Sequence, residues 1–322
     1  MRVVLLFILV GSIMVADDYS FDMSETKVKN YEHQGYIKAE HKHQKTKKDK
    51  YIDSYFGELL FGSYKFSPKH KLNIGKESLK WGKGYFFNPV AFLDRKKDPN
   101  NPEVAKEGYI FARYTYNKSY DSSLKNFSFD MIFMPTTKDI NDDFYSDNST
   151  NIASKAYFLY LDTDIDILYL QSDKQANRYG FDFSKNIQTN FEVHGEMTND
   201  SNSSVRYLLG IKYLTQSDLT ITSEYFYQKK ESNNKVPFYD NRYFINKLSL
   251  KEPLDIIYSQ VYLKNSLNIK DSSSQNSLGF VYKFKDSLEF DISYIKNIGE
   301  KSSEFESKNI TDTIWTKVSW YF

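Results

Sequence analysis

ITDTIWTKVSWYF, Ile310–Phe322, decides how the rest of the chain is read. Alternate residues from Ile314 are Ile314, Thr316, Val318, Trp320 and Phe322, and those between are Thr313, Trp315, Lys317, Ser319 and Tyr321. The first set is mostly apolar and the second mostly polar. A period of two with unlike faces is the mark of a β-strand between two different surroundings.

The pattern recurs through the second half. Val205, Tyr207, Leu209, Ile211 and Tyr213 alternate with Arg206, Leu208, Gly210 and Lys212. Phe191, Val193, Gly195 and Met197 alternate with Glu192, His194 and Glu196, and Leu288, Phe290, Ile292 and Tyr294 with Glu289, Asp291 and Ser293. Charged residues on the second face exclude a β-sandwich, whose inner face must be dry. A closed barrel with an apolar outside and a wet inside accommodates both faces. In that register Glu192, His194, Glu196, Arg206, Lys212, Lys283, Glu289, Asp291 and Lys317 face the lumen. A slip of one residue would turn them outward, at about 2–4 kcal/mol for a basic residue at the bilayer midplane.

Composition agrees. Only 40% of the 322 residues are hydrophobic, yet 17% are aromatic. A barrel wall needs an apolar residue only at every second position, with aromatic girdles at both interfaces. The first sixteen residues, one arginine and then an apolar run ending in small residues, read as a signal peptide cleaved after Ala16. Residues 17–33 read as a short periplasmic lead and 34–322 as the barrel. The near-neutral charge gives no basic excess for nucleic acid. The absence of cysteine excludes a disulfide scaffold and a lipid-anchored cysteine.

The expected fold is all-β: a transmembrane antiparallel up-and-down β-barrel of about sixteen strands, within 14–18. The strands are read at 34–44, 53–66, 69–81, 109–118, 125–135, 151–161, 164–171, 178–184, 187–197, 204–215, 218–229, 241–250, 254–267, 275–285, 287–297 and 310–322. Short turns at Ser67, Ser119, Asp162, Ser184, Thr215, Lys251 and Lys285 alternate with longer connections, notably 82–108, 136–150, 230–240 and 298–309. All seven prolines fall in connections or at strand ends, where a missing ladder donor does no harm. An even strand number puts both chain ends on the periplasmic side.

One connection stands apart: WGKGYFFNPVAFLDRKKDPNNPE, Trp81–Glu103. Gly82 and Gly84 allow a sharp departure from the strand, and Asn88-Pro89 fixes another bend. Asp94, Arg95, Lys96, Lys97 and Asp98 crowd mixed charge together. Two readings stay open for this segment: folding into the lumen as a constriction, or packing on the rim as an ordered cap. The residues Lys80, Trp81, Gly82, Gly84, Asn88, Pro89, Asp94, Arg95, Asp98, Pro99, Glu107 and Gly108 resemble the loop signature of an uncharacterised family of Gram-negative outer-membrane, porin-like β-barrels. The family places arginine before the final Glu-Gly, where this chain has Lys106, exchanging a planar fork for a point charge. A terminal strand ending in Phe322, with Trp320 before it, resembles the address read by the barrel-insertion machinery. The resemblance implies a monomeric outer-membrane barrel exporting lipid or hydrophobic material beside an inner-membrane pump of the resistance-nodulation-division type.

Sequence chemistry beyond the barrel is thin. Gly75-Lys-Glu-Ser lacks the leading glycine of a phosphate loop. His41 and His43, with Glu40 and His33 nearby, form an incomplete metal site. No Gly-x-Ser-x-Gly elbow occurs. No catalytic residue, cofactor or metal is expected. The expected function is an outer-membrane channel or export conduit with loop 82–108 folded towards the lumen. A non-conducting structural or adhesion barrel, and a lipid-acting outer-membrane enzyme, are the alternatives.

Overall fold

The computed structural model describes residues 31–46, 55–95, 97, 99, 108–145, 147–202, 204–229, 242–285, 288–307 and 310–321. The signal peptide, the lead to residue 30, loop 230–240, Asp98, Lys106, Glu107 and Phe322 therefore lie outside the described residues.

Among the described residues sixteen strands run in chain order: β1 (Tyr31–Thr46), β2 (Tyr55–Ser67), β3 (His70–Glu77), β4 (Tyr109–Ser119), β5 (Leu124–Thr136), β6 (Ser149–Tyr160), β7 (Thr163–Ser172), β8 (Arg178–Gln188), β9 (Phe191–Asp200), β10 (Val205–Leu214), β11 (Leu219–Gln228), β12 (Arg242–Lys251), β13 (Ser259–Asn268), β14 (Ser274–Lys285), β15 (Leu288–Ile298) and β16 (Ile310–Tyr321). Each pairs antiparallel with its sequence neighbours, and β1 pairs with β16 from Tyr36↔Tyr321 to Gln44↔Thr313. The ladder is thereby closed, which leaves no edge. One end carries the tight connections, such as 68–69 and 161–162; the other carries the long ones, 78–108, 137–148 and 299–309 among them.

Neighbouring residues on one strand see opposite surroundings. Leu209 is 56% exposed and Leu208 1%; Ile167 is 55% exposed and Leu168 2%. The exposed set is rich in large apolar side chains, whereas the inner set includes Asp166, Asp182, Glu196 and Glu224, all buried. That is the apolar-out, polar-in alternation of a membrane barrel.

Four expected boundaries move, three of them for a local reason. The third strand ends at Glu77 rather than Trp81, because the Asp94 carboxylate takes the backbone N–H groups of Leu79 and Trp81 away from any ladder. The hairpin expected at Ser184 turns instead at 189–190. Residues 184–186 are a polar strand end, and the turn is secured by the Asn190 amide donating to the Leu214 carbonyl at 2.9 Å. The strand expected from Leu254 starts at Ser259. Pro253–Asp255 forms a 3-10 turn there, and left-handed backbone at Glu252, Leu254, Asp255 and Tyr258 rules out extended pairing. At the N-terminal side β1 begins at Tyr31, three residues inside the expected lead.

Candidate functional site

The candidate site is the segment from Ser78 to Pro99, which leaves the end of β3 and runs along the inner face of the barrel. Its first fixed point is internal. Asp94, buried, accepts from the N–H of Leu79 at 2.8 Å, the N–H of Trp81 at 2.9 Å and the Ser78 hydroxyl at 3.3 Å. Burial pushes the Asp94 carboxyl above the usual carboxylate range, and the Trp81 and Leu79 N–H groups hold it back. Lys80 takes a left-handed φ of 55° and Gly82 one of 93°. These angles throw the chain inward.

Two wall carboxylates then grip the backbone. Glu196 on β9 accepts from the N–H of Lys83 at 2.7 Å and Gly84 at 2.6 Å through Oε1, and from Val90 at 3.2 Å through Oε2. Glu224 on β11 accepts from the N–H of Tyr85 and, at 3.0 Å, of Phe86. Five consecutive or near-consecutive loop amides thus end on two buried carboxylates. Donors converging on an ionised oxygen give the stronger, charge-assisted class of hydrogen bond. The approach is close: a Cβ on Gly84 would lie 2.2 Å from the Phe87 carbonyl oxygen, so only glycine fits.

Side chains extend the grip to both sides. The Lys83 ammonium lies 3.0 Å from Asp166 on β7 and 3.8 Å from Asp182 on β8. Burial works against its charge, but those two carboxylates outweigh it and hold the ammonium above the usual lysine value. The Tyr85 hydroxyl donates to Glu192 at 2.9 Å and accepts from Lys212 at 3.2 Å. Burial first, then the Glu192 charge, push the Tyr85 phenol well up. His194, fully buried, stands between Glu224 at 3.2 Å and Glu192 at 3.4 Å.

Apolar packing finishes the docking. Leu79, Trp81, Val90, Phe92 and Leu93 pack on Tyr109, Phe111, Ile132, Met134, Ala153, Leu168 and Leu170 of β4–β7. Phe86 and Phe87 pack on Leu208, Phe226, Tyr243 and Ile245 of β10–β12. Phe305, from the short helix α1 (Glu304–Ser307), completes this second cluster and is fully buried. The Phe87 and Phe226 rings stack at 4.1 Å. Residues 299–307 of a second long connection therefore also fold inward. Its Glu304 carboxylate accepts from the Tyr243 hydroxyl at 2.9 Å and the Asn268 amide at 2.7 Å.

The remaining residues singled out from the sequence fall into place around this core. The Asn88 side chain bonds the Arg95 carbonyl at 3.1 Å and the Lys97 N–H at 2.9 Å, and Pro89 is buried. Arg95 pairs with Asp143 and lies over the Tyr109 ring, while the Lys97 ammonium donates to the Gly84 carbonyl. Arg206 lines a small recess beside Phe87, Asn88, Lys97 and Arg178. Asp291 and Lys317 pair at 2.6 Å on β15 and β16, and Lys283 lies 3.7 Å from Glu289. Trp320 faces outward. Sequence reasoning did not single out Lys83, Tyr85, Asp166, Asp182, Glu224, Glu304 or Phe305. Asp164 and Asp166 alternating with Ile165 and Ile167 was the available signal for β7; for Phe305 there was none.

No family model and no curated protein sequence matches the chain. Among solved structures it is similar to Wzi, an outer-membrane protein involved in group 1 capsule assembly in Escherichia coli and a carbohydrate-binding β-barrel. The TM-score is 0.57 at 11% identity, covering 91% of this chain and 84% of that one. It is similar too to Pseudomonas aeruginosa OccK11, with TM-score 0.57, 8% identity and coverage of 90% and 95%, and to OccK5 of the same organism, with TM-score 0.57, 10% identity and coverage of 90% and 97%. At these identities the likeness is one of fold: an outer-membrane-type β-barrel.

Proposed function

We propose that this chain spans the outer membrane as a porin-like channel in which the segment Ser78–Pro99 narrows the lumen. The observation that carries the reading is the capture of five loop N–H groups by Glu196 and Glu224, two carboxylates on the inner wall. A rim cap has no need of buried wall carboxylates in the middle of β9 and β11. Phe305 packs over the same segment from loop 299–309, which argues against that loop serving as an adhesive surface feature. The lumen carries the ion pair Lys83–Asp166 between the segment and the wall and Lys317–Asp291 on the wall itself, and this favours water-soluble solutes over the lipid cargo that the loop signature implies. Outward-facing Trp320 at the end of the last strand suits recognition by barrel-insertion machinery.

Single-channel recording in planar bilayers tests the proposal. Deleting residues 85–106 should raise the conductance several-fold over the full chain. Equal currents from both proteins would remove the segment from the conduction path. Absence of current from both would leave a structural barrel as the better reading.

A further inference from the structure

An unbroken polar line crosses the outer wall of the second half of the barrel, and beyond Asn276 it runs on to Lys296 and Asp312 near the strand ends of β15 and β16. Ser223, Asn246, Asn265 and Asn276 are directly opposed from strand to strand across β11, β12, β13 and β14. Apart from Ser274 at the start of β14, their neighbours on the same face are apolar: Phe244 and Leu248 on β12, Leu263 and Leu267 on β13, Leu278 on β14. Ser223 and Asn246 each stand at the middle of a ten-residue strand, where hydrocarbon is thickest around a spanning barrel. The corresponding positions on β10 and β9 are Ile211 and Val193, so the stripe stops at β11 on that side.

The stripe satisfies itself only in part. The Ser223 hydroxyl donates to Asn246 Oδ1 at 2.7 Å, the Asn265 amide donates to Asn276 Oδ1 at 2.8 Å, and the Asn276 amide to Ser274 at 3.2 Å. Among the described residues, the Asn246 N–H groups and the Asn265 carbonyl oxygen have no partner. Amide groups do not remain without hydrogen bonds in hydrocarbon. Immediately beside the stripe, Val261, Leu278, Phe280, Ile292, Tyr294 and Ile314 surround an apolar recess of about 410 Å³ on the same wall.

We propose that β11–β14 form the interface of a two-fold homodimer within the membrane. The occupant must reach the depth of mid-strand, which a soluble partner cannot. At mid-strand, short of Lys296 and Asp312 at the end of the line, it must also offer both donors and acceptors without charge. Carboxamides and hydroxyls do both, so the same stripe turned by a two-fold axis complements itself, which is the rule for an isologous contact. The adjoining recess provides room for apolar side chains of the second copy. This replaces the monomer expected from the loop signature. It rests on the membrane-spanning reading but not on conduction, so a silent channel would leave it untouched.

The cysteine-free chain makes the test direct. Single variants Asn246→Cys and Asn265→Cys are oxidised with copper-phenanthroline in intact outer membranes, with Ile167→Cys on β7 as the control. The expected result is a disulfide-linked species of twice the monomer mass, containing this chain alone, from at least one stripe variant and not from the control. Native mass spectrometry of the wild type in mild detergent should give a dimer, and Asn246→Leu/Asn265→Leu a monomer at least tenfold less prone to associate. These leucines suit a lipid-facing wall, so the barrel itself still folds. A monomeric wild type without cross-links, or a cross-link to a different protein, would overturn the proposal.

Discussion

Gly84 lies between its own loop and the barrel wall with no room for another atom. A Cβ there would meet the Phe87 carbonyl at 2.2 Å, Leu208 at 2.9 Å and the Glu196 carboxylate at 3.2 Å. The first of these is backbone and cannot swing aside. Gly84→Ala is therefore expected to cost about 1–3 kcal/mol through overpacking. The readout is a lower temperature for loss of the compact, heat-modifiable band on a gel, with the largest changes in proteolysis confined to 78–95. At this scale the sequence was legible in part. Gly82 and Gly84 announce a sharp turn whatever the fold, and alternation alone puts Glu196 on the inner face. That Gly84 and Glu196 meet was not legible, because the contact joins residues 112 positions apart and no local pattern records it.

Single elements show where local reading stops. The β8–β9 turn was expected four residues early, because Ser184-Lys-Asn looks like a turn when it is only the solvated end of a strand. Connection 299–309 looked like any polar loop, yet it buries Phe305 and is pinned by Asp271. The Asp271 side chain accepts from the Ser273 hydroxyl at 2.6 Å, the Ser273 N–H at 2.9 Å and the Glu304 N–H at 2.7 Å. Burial pushes the Asp271 carboxyl up, but these hydrogen bonds outweigh it and hold the carboxyl below the usual value of 3.8. A carboxyl whose folded value is depressed contributes stability above its unfolded value, and that contribution is lost as the pH falls through the folded value. Docking of the 299–307 segment is thus expected to be unchanged from pH 7 to about pH 5 and to weaken below about pH 4. Hydrogen exchange in 302–307 at pH 6 and pH 3, corrected for intrinsic rate, checks this; Asp271→Asn should abolish the difference.

For the whole molecule, the account requires hydrocarbon outside the ring and water within. Sixteen strands, and the facing of β9, β10, β14, β15 and β16, were legible because a period of two survives any amount of loop variation, and because charge on one face has a single tolerable location. The interior of the lumen was not, since it is built from contacts between distant strands and two inward loops. Placing a charge on the outer wall tests the first half. Leu209→Lys on β10 should cost about 2–4 kcal/mol near midplane, seen as a lower unfolding midpoint in urea on lipid vesicles, whereas Ser293→Lys on the inner wall should cost less than half as much. The second half rests on Glu196 and Glu224. Glutamine at both keeps their size but turns one acceptor of each into an NH₂ facing the loop amides, and each buried N–H left without an acceptor costs roughly 1–3 kcal/mol. The most direct measurement is the single-channel current of Glu196→Gln/Glu224→Gln beside the wild type in planar bilayers. A larger or openly fluctuating conductance is predicted. A steady current identical to the wild type, from a barrel that still resists heat and protease to the same degree, would contradict the claim that these two carboxylates hold the loop across the lumen.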